Sequence, residues 1–332
     1  MIPSFTEDRS GIEDIKGVLT SSSVTSQFHF ANFSSLHDKR QVPMLKRTDI
    51  QEGARRPVMP VIHIQSLDEL NDPALQLYAG LAQHKLRLPH NSAKTHMIVE
   101  SEIALRVALA RGLKPVSFLL NEKKLQALAD CLKALPDEIP VFVIPKELAS
   151  TLVGYPLTRG IFGAFKRPAP NTPQQILHGA RHIAVLEDVV DTTNIGAIFR
   201  SAAALNVDGI IAAPSCADPF SRRAIRVSMG NSLCIPHVYA PQEMWPQTLV
   251  ELLKTEGFTC VALALNKKAC PLDAPQLKKY PKLALFFGTE GTGLSSSVIE
   301  ACDEIVQIPM SAGVDSLNVA AASAVVFWEL CR

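Results

Sequence analysis

The sequence has no apolar run approaching the roughly 18 to 20 residues of a bilayer-crossing helix, so a helical membrane span is excluded. Its first residues, MIPSFTEDRSGIED, lack the basic start and apolar stretch of a secretory signal, and a cytoplasmic location is expected. It has no C-x-x-C pair. The seven cysteines are scattered and odd in number, a pattern of buried thiols in a reducing compartment rather than of a disulfide framework. Metal-ligand clusters are missing too: His178 and His182 are four apart, but no third ligand lies near them in sequence. Charge excess of either sign is absent, with 33 basic and 32 acidic residues and a net charge of +1. That balance neither demands nor rules out a nucleic-acid partner, because a local basic face fits inside a neutral total. There is no internal repeat and no low-complexity tract.

What is present is the composition of a globular protein, 47% hydrophobic and 20% charged, over 332 residues, a length that accommodates two domains. Residues 1–57 are Ser-rich in SSSVTSQFHFANFSS and close on GARRPVMP. No helical or strand period persists there, so a poorly ordered N-terminal extension is expected. Residues 58–166 alternate between helical and strand patterns and read as a small α/β domain. Within it, ALQLYAGLAQHKLR (74–87) reads as an amphipathic helix, EIALRVALARG as a helix stopped by Gly112, and EKKLQALADCLKAL as one continuous helix. Residues 167–179, with KRPAPNTPQQ and its prolines, read as a linker. Alternation restarts over 180–332, where short apolar strands such as LALFF are separated by helices, the pattern of a parallel sheet covered on both faces.

Ligands of an open parallel sheet bind beyond the carboxyl ends of its strands. Four polar or glycine-rich stretches occupy such ends: EDVVDTTNIGAIFR, SRRAIRVSMGN, GTEGTGL and IPMSAGVDSLN. GTEGTGL has neither the order nor the place of a dinucleotide fingerprint, and no G-K-[ST] follows to make a phosphate-cradling loop. Its glycines permit close backbone approach to a ligand; the bare pattern reads equally as a tight turn without one. Within DTTNIGAIFRSAAALNVDGII, an apolar helix carries Asn194 near its start and Arg200 in its middle, and a buried helix has no need of that arginine.

These motifs together carry a resemblance. Asn194 with Arg200 six residues later, GTEGTGL, and IPM followed by SLNVAAASA resemble, in that order, the three motifs of the SpoU (TrmH-type) RNA 2′-O-ribose methyltransferases of the SPOUT superfamily. Ile308 follows Gly288 by twenty residues and Leu317 follows Ile308 by nine, the family's spacing. The likeness covers residues 181 to 331. A second resemblance, carried by MIVESEIALRVALARGLKPVSFLL and TRGIFGAFKRP, is to the small ribosomal-protein-like RNA-binding domain that often precedes this catalytic domain. The family commonly has Glu-Gly where this chain has Glu100-Ser101.

The resemblance implies an α/β fold with a C-terminal α/β-knot, a deep trefoil knot in a parallel sheet with helices on both faces. It implies S-adenosyl-L-methionine as methyl donor and co-substrate, with Gly288, Ile308, Leu317, Gly293 and Met310 at donor-binding positions and no metal. It assigns catalytic positions to Arg200, Asn194, Glu290, Ser316 and Asn318. The reaction moves a methyl group from a sulfonium to a ribose 2′-hydroxyl in ribosomal or transfer RNA, and that hydroxyl is a poor nucleophile until its proton is removed or polarised. The family's proposed base matches Arg200, but a guanidinium essentially never loses its proton in proteins. A phosphate grip that also stabilises the developing alkoxide is the alternative. Asn194 and Arg200 lie about 120° apart around a helix, so Asn194 is expected to cap the helix or orient the arginine. Ser316 reads as a helix N-cap or a site residue.

Arg222, Arg223 and Arg226 cluster on one side of a helix and read as an RNA-binding face, against the plainer reading of a solvated face. Lys85, Arg87, Lys94, Lys123 and Lys124 are candidates for a second basic surface. The resemblance also implies a homodimer joined at the knot, with an arginine able to act across the interface. A non-catalytic RNA-binding or ribosome-assembly protein on the same scaffold is the rival reading, and a small-molecule methyltransferase a third.

Overall fold

The computed structural model describes residues 60–81, 94–157, 160–289, 291–314 and 316–332. The expected N-terminal extension, and the basic half of the helix expected over 74–87, lie outside the described residues.

The first half builds one sheet from β1 (Val61–His63), β2 (His96–Glu100), β3 (Pro115–Leu120), β4 (Val141–Val143) and β5 (Ile161–Lys166). The strand order is β1-β4-β3-β5-β2. β1, β4 and β3 run parallel, while β5 runs antiparallel to both β3 and β2. Alternate residues face opposite ways, as the pleat requires. Leu119, Phe142 and Phe162 pack with Leu75 and Tyr78 of a 3-10 helix (Pro73–Tyr78) and with α4 (Lys146–Val153). Phe118, Val141 and Phe165 face α1 (Glu102–Ala110) on the other side.

Three details of this half depart from expectation. Residues 73–78 form a 3-10 helix rather than the start of an α-helix; Pro73 opens it and the Asp72 carboxylate caps it, accepting from the Ala74 amide. The helix expected over EKKLQALADCLKAL is two pieces, α2 (Glu122–Ala127) and α3 (Ala129–Leu132), which break at Leu128. Ser101, the departure from Glu-Gly, stands at φ 110° and caps α1 with its hydroxyl. Few side chains adopt that backbone region, which explains why glycine suits the position.

The second half opens with α5 (Pro173–Leu177), inside the expected linker, where Thr172 and Gln175 form a reciprocal capping box. Its sheet combines β6 (His182–Leu186), β7 (Gly209–Ala212), β8 (His237–Tyr239), β9 (Thr259–Leu263), β10 (Cys270–Pro271), β11 (Leu283–Phe287) and β12 (Glu304–Gln307). The order is β10-β12-β9-β11-β6-β7-β8, and every pairing is parallel. Every residue of β11 is buried, as befits a strand covered on both faces. Leu186, Leu285 and Phe287 face α6 (Thr192–Ala204) and α10 (Val319–Leu330). Val185, Ala284 and Phe286 face α5, α8 (Gln247–Thr255) and α9 (Ser296–Ala301).

The two sheets meet through α7 (Arg222–Val227), whose Ile225 is fully buried in the first sheet's core. α7 also packs tightly on α6. A Cβ at Gly196 would fall 2.7 Å from the Ala224 carbonyl oxygen, so only glycine permits that approach.

Candidate functional site

Parallel strands deliver their connecting loops to one end of a sheet, and here the carboxyl ends of β9, β11 and β12 surround a cavity of about 410 Å³. That volume falls in the range of small-molecule sites. Leu263–Leu265 form one wall, the loop after Phe287 a second, and the Ile308–Leu317 connection with the first turns of α10 a third. Gly288, Gly293, Ile308, Met310 and Leu317 all line it, and so does Ser316. No charged side chain occurs among the described lining residues. Such walls suit a flat, weakly polar group read by backbone donors and acceptors.

The glycine loop is shaped by its own closure. A Cβ at Gly288 would lie 2.2 Å from the Gly293 carbonyl carbon and 2.4 Å from the Leu294 nitrogen, so the loop folds back onto the glycine backbone. The Gly293 amide donates to the Thr289 carbonyl at 3.0 Å, and Gly293 itself has φ 71°. Glu290, expected beside these glycines, lies outside the described residues.

A residue the sequence reading missed holds the far end of this loop. Glu187, at the end of β6 and 6% exposed, accepts two hydrogen bonds from Ser295, one from its amide and one from its hydroxyl, both 2.8 Å long. Ser295 in turn caps α9. The only sequence signal was an acid following an apolar strand.

Asn194 and Asn318, 124 residues apart, are brought together: the Asn318 amide nitrogen donates to the Asn194 side-chain oxygen at 3.0 Å. Neither cap falls where expected. Asp191 caps α6 and Asn194 lies inside its first turn, while α10 is capped by Asn318 rather than Ser316. The Asn318 oxygen accepts from the Ala320 and Ala321 amides at 3.0 and 3.3 Å. Arg200 is exposed on α6, which packs against α10, and is not among the residues lining the cavity.

The three arginines of α7 part company. Arg222 lies half-buried between the sheets, paired with Glu100, donating to the Tyr155 hydroxyl at 2.6 Å and stacked over its ring. Burial, reinforced by the Glu100 charge, pushes the Tyr155 phenol up to about 12, so it stays neutral there. Arg226 joins the same carboxylate at 3.2 Å. Arg223 is exposed and donates to the Thr193 hydroxyl at 2.8 Å, beside the start of α6. Arg222 thus serves the join between the sheets, and Arg223 alone of the three is both exposed and next to the Asn194 turn.

The candidate lysines divide as well. Lys94 precedes β2 at one end of the first sheet, Lys123 follows β3 at the other, and Lys124 pairs with Glu102 at 3.1 Å. Lys85 and Arg87 lie outside the described residues. Among the described residues no group of three or more His, Cys, Asp or Glu is placed to hold a metal ion, and no helix is long and apolar enough to cross a membrane.

Comparison with known proteins places this geometry. The model of the SpoU rRNA methylase family matches residues 181–328. An uncharacterised tRNA/rRNA methyltransferase of Mycobacterium bovis is 35% identical over 272 residues, covering 82% of this chain and 93% of that protein. The 23S rRNA (guanosine(2553)-2′-O)-methyltransferase RlmP of Bacillus subtilis is 29% identical, over 56% of this chain and 76% of its own. Among solved structures, the AdoMet-bound rRNA methyltransferase of Sinorhizobium meliloti superposes with a TM-score of 0.66 at 23% identity, covering 81% of this chain and 97% of that one. With 35% identity to the mycobacterial relative over 82% of its length, and with the family model matched over residues 181–328, the chain belongs to the SpoU rRNA methylase family.

Proposed function

We propose that the protein is an S-adenosyl-L-methionine-dependent methyltransferase acting on a ribose 2′-hydroxyl of ribosomal or transfer RNA, in the cytoplasm. One observation carries this reading: the residues matching the family's donor positions, from the glycine loop and from the Ile308–Leu317 connection, line a single cavity. The bound donor supplies an electrophilic methyl group on a sulfonium. The closed glycine loop and the Leu317 turn hold its uncharged part, while Glu187 keeps the glycine loop in place through Ser295.

A guanidinium does not serve as a base in proteins, so the work of Arg200 is electrostatic. It grips the phosphate next to the target ribose and stabilises the alkoxide as the hydroxyl proton leaves. Because Arg200 does not line the cavity of its own chain, the active unit is a homodimer in which one copy's Arg200 serves the other's donor. The outer face of α10, with Val325 42% and Trp328 52% exposed, supports such packing. The trefoil knot belongs to this reading, as does an RNA-recognition role for the first sheet. Asn194 and Asn318 join the α6 start to the α10 start, and Arg223 adds a phosphate contact beside them.

The test is methyl transfer from labelled donor into bulk bacterial RNA, followed by nucleoside analysis for 2′-O-methylation. Arg200→Ala should lower turnover by about 10²-fold or more while donor affinity, measured by calorimetry, stays near wild type. RNA binding with no donor uptake by the wild type would instead establish the non-catalytic rival.

A further inference from the structure

α7 is only six residues long, and both of its sides are in use. At about 100° per residue, Arg222, Ile225 and Arg226 fall within an arc of about 100°, and Arg223, Ala224 and Val227 within an equal arc on the opposite side. The first side belongs to the first sheet. Glu100, 2% exposed at the end of β2, pairs with Arg222 and, at 3.2 Å, with Arg226. Arg222 also donates to the Tyr155 hydroxyl at 2.6 Å and to the Leu81 carbonyl at 3.4 Å. Ile225 shares its core with Ala104 and Leu105 of α1.

The second side belongs to α6. Arg223 Nε donates to the Thr193 hydroxyl at 2.8 Å. A Cβ at Gly196 would stand 2.7 Å from the Ala224 carbonyl oxygen and 2.8 Å from the Val227 Cβ, so the two helices touch backbone to backbone. Thr193 and Gly196 flank Asn194, the residue that meets Asn318. The body of α6 is held separately, by Ile198, Phe199 and Ala202 in the second core, so α7 acts on the helix start. A helix as short as α7 has no stability of its own, since isolated helices below about 12–15 residues are marginal in water. Its place is set by what holds its two sides, and among the described ion pairs the one acid holding it is Glu100. No α7 residue is among those lining the cavity at the ends of β9, β11 and β12.

We propose that Glu100 is a positioning residue for methyl transfer: by holding α7 it fixes the start of α6, and with it the Asn194–Asn318 pair, while leaving the donor cavity alone. Misplacing a reacting group by 1 Å through a change far from the chemistry can cost about 10²-fold in rate. The inference rests on the methyltransferase reading and adds to it a residue of the first sheet that serves the rate without touching either substrate.

The test follows kcat and donor KM separately in the full-length protein, with labelled donor and bulk bacterial RNA. Glu100→Gln keeps the side chain's shape and removes its charge; kcat should fall about 10-fold or more while donor KM stays near wild type. At the α6 end, Thr193→Val removes the hydroxyl and should show the same split, and Thr193→Ser, which restores the hydroxyl, should recover the rate. Because both changes act through α7, the double variant Glu100→Gln/Thr193→Val should be no slower than the slower single, whereas independent effects multiply. Amide hydrogen exchange in Glu100→Gln should quicken more over residues 192–197 than over β11. Should Glu100→Gln fail to fold, Arg226→Gln, which loosens the same hold at a partly exposed side chain, takes its place. Wild-type kcat in the variants, a donor KM that rises as kcat falls, multiplied losses in the double variant, or exchange quickened equally in both segments would overturn the proposal. Those outcomes beside methyl transfer by the wild type refute the positioning role alone; no methyl transfer by the wild type, with the exchange pattern as expected, refutes the enzyme reading alone.

Discussion

At the scale of single residues, backbone geometry decides as much as side-chain chemistry. Gly288 leaves no space for a Cβ because the loop closes on it, and that requirement was hidden in a glycine pattern that read equally as an unliganded turn. Ser101 is the converse, a side chain where the backbone prefers none, with φ 110°. Ser101→Gly relieves a conformation that costs about 1–3 kcal/mol and gives up a serine cap worth only a few tenths of a kcal/mol over glycine. The variant should be more stable by about 1 kcal/mol, read as a higher urea midpoint with an unchanged m-value. Arg200 stands out in the sequence because an arginine within an apolar helix asks for a reason, and the structure leaves it exposed on α6, off the cavity lining. Glu187 was not, since an acid after a strand has many ordinary uses and its partner Ser295 lies 108 residues away.

At the scale of elements, most long periodic pieces were readable, EKKLQALADCLKAL with its break at Leu128 excepted, and the shortest strands were not. β6, β9, β11 and α10 declare themselves by unbroken apolar runs or helical spacing. β1 is three residues long with every residue exposed, and β10 is two residues long, so neither offers a pattern to read. α5 hid behind prolines that looked like a linker, although Thr172 and Gln175 spelled a capping box. α6 and α10 show how much a helix start can do. Asn318 ends one loop of the cavity at the carboxyl ends of β9, β11 and β12, caps α10 and meets Asn194 of α6. Asn318→Ala should cost about 1 kcal/mol through the lost cap. Asn318→Asp should keep most of that stability, since aspartate caps as well as asparagine. Chemical denaturation of the two variants compares the outcomes directly.

At the scale of the whole molecule, the join between the sheets is a charged cluster that no local pattern announces. Arg222, Arg223 and Arg226 look like a nucleic-acid face until Glu100, 122 residues before Arg222, is seen to hold two of them. Glu100 is 2% exposed, and stripping a partner from a buried ion pair typically costs about 3–5 kcal/mol. Glu100→Ala should lose stability on that scale. Arg226→Ala, whose partly exposed side chain is solvent-screened, should lose about 1 kcal/mol or less. Equal losses in the two variants would show that the carboxylate's main tie is not to Arg222.

Ile225 carries a further consequence. It sits in the catalytic half of the sequence yet is fully buried in the other half's interior. A gene trimmed to begin near Pro173 would leave that isoleucine bare, along with part of the Phe220 ring and an arginine stripped of its counter-ion. Such a fragment would be sticky, and recombination that swaps the front half for an unrelated module would have to bring a matching socket and a matching acid with it.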